Sequence, residues 1–143
     1  MKPVFQTKFS LFYSDGKRLN YGNCLVACFA SILEVPIDEV PNLYVFYGLD
    51  KSDDKDITQH FWFTVMNKWL NLKHNKTLKY NNLSDSTDQK YIIMRGLSMR
   101  KKPHCCVYQN VDGKFTPYFD PHQTSEFLSE EHYYYSVEDL MWI

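Results

Sequence analysis

An α+β domain, with N-terminal helices packed on a C-terminal antiparallel sheet, is the fold class that this sequence predicts. Three observations predict it. Residues 24–34 and 57–72 carry apolar side chains at helical spacing. After residue 89 the pattern changes to short apolar runs divided by turn residues. Helices followed by a run of strands is the order of an α+β fold. The length, 143 residues, suits one domain over residues 1–143 with its own hydrophobic core.

Val4 to Phe12 has the apolar content of a short strand, and Ser14-Asp15-Gly16-Lys17 reads as a turn. Cys24 to Glu34 is apolar nearly all round, so this helix should lie in the middle of the domain. Pro36 ends it, because the residue before a proline disfavours helical backbone. Pro36 to Val40 forms a single helical turn stopped by Pro41. Asp50 to Asp56 is a charged loop, and Asp56 caps a second helix over Ile57–Leu72. Phe61, Trp62, Val65, Met66, Trp69 and Leu70 give that helix one core-facing stripe. Asn81 to Gln89 is polar loop. Tyr91–Gly96, Cys105–Gln109, Phe115–Phe119 and Tyr133–Val137 read as strands, with a hairpin turn at Val111-Asp112-Gly113-Lys114.

Charge argues against one class of partner. The net charge is −1, whereas a dedicated nucleic-acid binder carries a basic stripe. The single basic run, Arg100-Lys101-Lys102, reads as solvated surface. No segment reaches the length of about 20 apolar residues that spans a bilayer, and the first residues lack an apolar signal-peptide core. A cytoplasmic protein with neither nucleic-acid nor membrane partners is the expectation. The four cysteines form two close pairs, Cys24/Cys28 and Cys105/Cys106. In a reducing compartment, such pairs suggest thiol chemistry or burial ahead of structural disulfides.

Cys24 opens the buried helix directly after Gly22-Asn23. A helix N-terminus presents free amides and partial positive charge, which favour thiolate and lower a cysteine pKa. The same amides can hold an oxyanion. A thiolate nucleophile also needs a base, and the base needs an orienting partner. His104 begins one strand and Asp120 ends the next strand of the same hairpin. With the turn centred on Asp112, residue 104 pairs with 120 and 108 with 116, which sets His104 opposite Asp120 at hydrogen-bonding reach.

Asn23-Cys24 followed by Ala27-Cys28, and later His104-Cys105-Cys106-Val107-Tyr108 returning to Phe119-Asp120-Pro121, resemble the two motifs of papain-like cysteine peptidases. The nearest likeness is to the bacteriocin-leader peptidase domains that precede some ABC transporters, and to similar phage and bacterial proteins. The likeness covers roughly residues 20–41 and 95–122, about a third of the chain. It implies a papain-like fold and thiol acyl chemistry on a peptide or small amide, with Cys24 as nucleophile, His104 as base and Asp120 orienting the base. Such enzymes carry a glutamine upstream of the cysteine as oxyanion donor. Arg18 holds that place here, so Gln6 is the expected donor, with Ser10 to Asn20 as an inserted hairpin or loop. Asn20 or Asn23 is the alternative. Asn23 and His122 are the expected substrate-binding residues.

Cys24, Cys28, His104, Cys105 and His122 could be assembled into a zinc site, but the paired C-x-x-C signature of structural zinc is missing. No metal or cofactor is expected. The other functional class is a catalytically inactive papain-like binding protein, such as a phage inhibitor that sequesters a host protein or a small molecule. Fold resemblance alone does not separate it from an enzyme.

Overall fold

A computed structural model describes residues 1–8, 11–12, 18–20, 23–42 and 55–141, with side chains for 1–8, 23–42 and 62–141. Two helices, α1 (Cys24–Leu33) and α2 (Lys55–His74), pack on one face of a five-stranded antiparallel sheet. The strands are β3 (Lys76–Asn82), β4 (Tyr91–Ser98), β5 (Pro103–Val111), β6 (Lys114–Phe119) and β7 (Leu128–Asp139), in the order β3-β7-β4-β5-β6. Two short strands, β1 (Leu11–Phe12) and β2 (Arg18–Asn20), pair with each other. The predicted α+β class is the observed one. No described helix is long and apolar enough to cross a membrane.

Helix α1 has the burial its sequence predicts: every residue from Leu25 to Ser31 is buried. Glu34 ends it in a left-handed conformation, and Val35 N–H returns to Ala30 O. The 3₁₀ turn Ile37–Glu39 follows between the two prolines. Helix α2 starts at Lys55, so Asp56 lies inside its first turn and does not cap it. The rest of the predicted Asp50–Asp56 loop, and the Ser14–Lys17 turn, lie outside the described residues. Phe29 of α1, Trp62 of α2 and Tyr135 of β7 stack in sequence, with centroids 6.1 Å and 5.5 Å apart. Met66, Leu70, Ile93 and Val107 are fully buried in the same core. Each such side chain contributes about 1.5–3 kcal/mol by leaving water. The other sheet face buries Ile92, Met94, Cys106, Tyr108 and Tyr134 under Phe115, Phe127 and Leu128.

Four expectations are corrected. Among the described residues of Val4–Phe12, only Leu11–Phe12 is strand. The backbone before it bonds to other parts of the fold: Lys2 N–H to Ser31 O, Val4 N–H to Ser31 Oγ and Gln6 N–H to Pro121 O. Within the segment from Ser10 to Asn20, read as a hairpin or loop, β1 and β2 pair antiparallel. Strand β3 was not expected. Its sequence is polar because it is an edge strand with Leu78 and Asn81 as its buried residues, and Asn81 donates to Ser136 Oγ. Strand β7 runs twelve residues, far beyond Tyr133–Val137, and is an interior strand of the sheet.

The fourth correction concerns the hairpin carrying the candidate site. Asp112 and Gly113 both have positive φ, 52° and 85°, as a two-residue primed turn requires. Pairing therefore starts at Val111↔Lys114 and continues to Tyr108↔Pro117. Beyond Pro117 the register slips, and Val107 pairs with Phe119. Pro117 has no N–H for the ladder, and β6 is an edge strand where such a bulge is tolerated. Residue 120 is thus carried towards Cys106, not His104.

Candidate active site

His104 and Asp120 are bonded despite the shifted register. His104 Nε2 lies 2.7 Å from Asp120 Oδ1, with both side chains buried. The imidazole reaches along the sheet to a carboxylate about two residues down, a diagonal that long side chains span. Cys106 shares the cluster: one ligating atom each from His104, Cys106 and Asp120 lie within 4.8 Å of one another.

Asp120 is fixed by more than the imidazole. Its Oδ1 also accepts from His122 N–H at 2.9 Å, and its Oδ2 accepts from Phe127 N–H at 2.8 Å. The 121–127 loop folds back over the carboxylate, with Ser125 and Phe127 at positive φ. Burial opposes ionisation of Asp120, but the His104 bond and the two amides outweigh it and hold its pKa below the usual carboxylate value. Burial likewise opposes the imidazolium of His104. The bond to Asp120 and the neighbouring Cys24 reverse this and raise its pKa to about 9.

Cys24 occupies the first position of α1 and is half-buried. Its sulfur lies 3.2 Å from Cys105 Sγ, which in turn lies 3.9 Å from Cys28 Sγ. His104 acts on the thiol as well, in the direction of thiolate. The expected low pKa is nevertheless not found. The adjoining Cys105 sulfur and burial push the Cys24 thiol well up, and His104 only partly offsets them. At neutral pH the pair therefore rests as thiol and imidazolium. Alkylation of Cys24 by iodoacetamide should be slow at pH 6 and still be rising above about pH 10, where an ordinary thiol has levelled off. Peptide mapping across pH checks this. A rate already at its plateau at pH 7 would contradict the alkaline shift.

Asn23 stands at the N-cap of α1 without capping it. Its Oδ1 accepts from Thr7 N–H and Lys8 N–H, and its Nδ2 donates to Thr7 Oγ1. Asn23 N–H donates to Lys8 O, while Ala27 N–H makes the first intrahelical bond, to Asn23 O. The amides of Cys24, Leu25 and Val26 are left without an intrahelical acceptor. Gln6 belongs to the same N-terminal segment. It is buried, its N–H is bonded to Pro121 O, and its Nε2 donates to Lys8 O at 2.9 Å. Gln6 Oε1 is buried with no hydrogen-bond partner. Residues 6–8 thus join the start of α1 to the Asp120-Pro121 turn. His122 stacks edge-on against His104 at 6.1 Å, and its Nδ1 is engaged by Thr124.

Cys105, Cys106 and Arg95 complete the surroundings. The two cysteines face opposite sides of the sheet, as strand alternation predicts, Cys105 towards α1 and Cys106 away from it. Arg95 pairs with Cys105 across β4 and β5, bringing a cation to the sulfur row. Sequence reasoning passed over Arg95, although one charge inside the apolar run Tyr91–Gly96 was a signal. The Phe127 amide had no signal at all.

Compared with known proteins, the chain matches no family model, no curated protein and no solved structure.

Proposed function

We propose that this protein is a cysteine-dependent peptidase or amidase that works through a thioester. The observation that carries the reading is the buried His104–Asp120 bond through Nε2. It commits one ring nitrogen to the carboxylate and leaves Nδ1 for a thiol. Two cysteines compete for that role. Cys106 is nearer the carboxylate but wholly buried, so no substrate reaches it. Cys24 is part exposed, lies at a helix N-terminus and interacts with His104.

In this reading the neutral form of His104, whose share grows as pH rises towards 9, takes the Cys24 proton as the sulfur attacks the carbonyl. The tetrahedral oxyanion is held by the Cys24 amide and by the second Nε2–H of Gln6, the first being spent on Lys8 O. His104 then protonates the leaving amine, and a water deprotonated by His104 hydrolyses the thioester. Asp120 keeps the ring oriented. Asn23 acts as a clamp on residues 7–8, and His122 borders the imidazole on its outer side.

p-Nitrophenyl acetate tests this. The wild-type protein should be acetylated on Cys24 and turn over. Cys24→Ala should lose both, and His104→Ala should be at least about 100-fold slower in acylation. Acetylation elsewhere, or equal turnover by Cys24→Ala, would count against the enzyme. One observation favours the second reading, an inactive binding protein for a host protein or small molecule: the raised thiol pKa beside Cys105. A Cys24 that is never acetylated up to pH 10 would decide for it.

A further inference from the structure

Three sulfurs form a row inside the site, and the proposed acyl chemistry uses one of them. Cys24 stands at 3.2 Å from Cys105, and Cys105 at 3.9 Å from Cys28. All four cysteines are free thiols. Cys24 alone is part exposed, while Cys28, Cys105 and Cys106 are at 0% exposure. An oxidant arriving from water therefore meets Cys24 first, and the sulfur it finds next is Cys105.

We propose that Cys24 and Cys105 form a redox-active dithiol, in which Cys24 is the site of oxidation by a hydroperoxide and Cys105 the resolving cysteine. The Cys24 thiol gives up its proton, and its sulfur gives an electron pair to the distal peroxide oxygen. The O–O bond breaks, the departing oxygen takes the proton and leaves as alcohol or water, and Cys24 becomes a sulfenic acid. The Cys105 sulfur then attacks the Cys24 sulfur. The S–O bond breaks, water leaves with the Cys105 proton, and a disulfide remains. Together two thiols lose two electrons to one peroxide, and an external dithiol reverses the step.

The geometry suits resolution. A disulfide needs its sulfurs at about 2.0 Å, so the 3.2 Å contact has little more than 1 Å to close. The partners sit on α1 and β5, two rigid elements already in contact. Burial pushes the Cys105 thiol up, and Arg95, its cross-strand partner, opposes that by holding a cation near the sulfur that must act as nucleophile. Cys28 has Cys105 as its sulfur contact and is buried behind it. Cys106 faces the other side of the sheet. The disulfide ties up the proposed nucleophile, so oxidation silences acyl chemistry. That consequence rests on the peptidase reading; the disulfide itself does not.

The test is hydroperoxide titration of the full chain, followed by alkylation and mass mapping. One equivalent of hydrogen peroxide should give a form lighter by about 2 Da, reversed by dithiothreitol. Cys28→Ala and Cys106→Ala should retain that form. Cys105→Val should lose it and instead yield a dimedone adduct on Cys24. The wild-type readout needs no variant to fold. A wild-type Cys24 that gains about 32 Da as sulfinic acid, or a disulfide that excludes Cys24, would overturn the proposal. Mass is read whether or not any ester turns over, so failure of the peptidase reading would be seen separately.

Discussion

Asp120→Ala should destabilise the protein by about 3–5 kcal/mol, the cost of breaking a buried ion pair from one side. The substitution strands three donors at once: His104 Nε2 and the amides of His122 and Phe127. Asp120→Asn keeps one acceptor oxygen and should lose less, about 1–3 kcal/mol. Urea unfolding of the three proteins measures this, and an alanine variant within 1 kcal/mol of wild type would refute the role given to the carboxylate. The pH dependence sharpens the test. The folded His104 pKa, about 9, lies above its ordinary value of 6.5. Its stabilisation is therefore complete below pH 6.5 and lost as pH rises through 9. Asp120 has its pKa lowered, so its share is present above the ordinary carboxylate pKa and disappears in acid, as pH falls through the folded value. Wild-type stability should thus decline by about 3 kcal/mol between neutral and strongly alkaline pH on account of His104. Asp120→Asn should show a smaller decline, since burial lowers the imidazole pKa and the carboxylate no longer joins Cys24 in raising it.

Gly96→Ala should cost more than about 3 kcal/mol, or about 10 °C in melting temperature. A Cβ at Gly96 would stand 1.8 Å from Glu130 O and 2.9 Å from Glu130 C, both backbone atoms that no rotamer change can move aside. The position lies at a bulge between β4 and β7, and directly opposite His104 of β5. To relieve the overlap, β7 must separate from β4 just where the imidazole is held. Calorimetry should show the lower melting point, and the His104 pKa should fall with it as the Asp120 bond loosens. A variant that melts with the wild type would mean the bulge can slide at no cost.

Local signals in the sequence account for much of this architecture. Helix α1 is legible because its apolar residues cover the whole circumference, and the β5–β6 turn because Asp112-Gly113 is a primed-turn pair. Strand β3 is not legible: an edge strand needs few apolar residues, and its partner β7 is more than fifty residues away. The site shows the same division. His104 and Asp120 are legible because one hairpin carries both, although the turn alone gives no sign of the bulge after Pro117. The Cys24 pKa is not legible because the helix terminus is a local feature, whereas Cys105, the larger influence, is 81 residues along the chain. A buried thiol answers to whatever is packed on it, and packing between distant segments leaves no periodic trace.

The segment before α1 has a consequence for the order of folding. Its bonds to Asn23 and Pro121 join residues 6–8 to the start of α1 and to a turn far along the chain. Gln6 cannot take its seat until the β5–β6 hairpin exists. A chain in which that hairpin has yet to form holds Cys24 without the His104–Asp120 pair and without the bond from Gln6 to Pro121. The cluster is thus assembled only once segments 81 residues apart have met. Contacts of such long sequence separation slow folding.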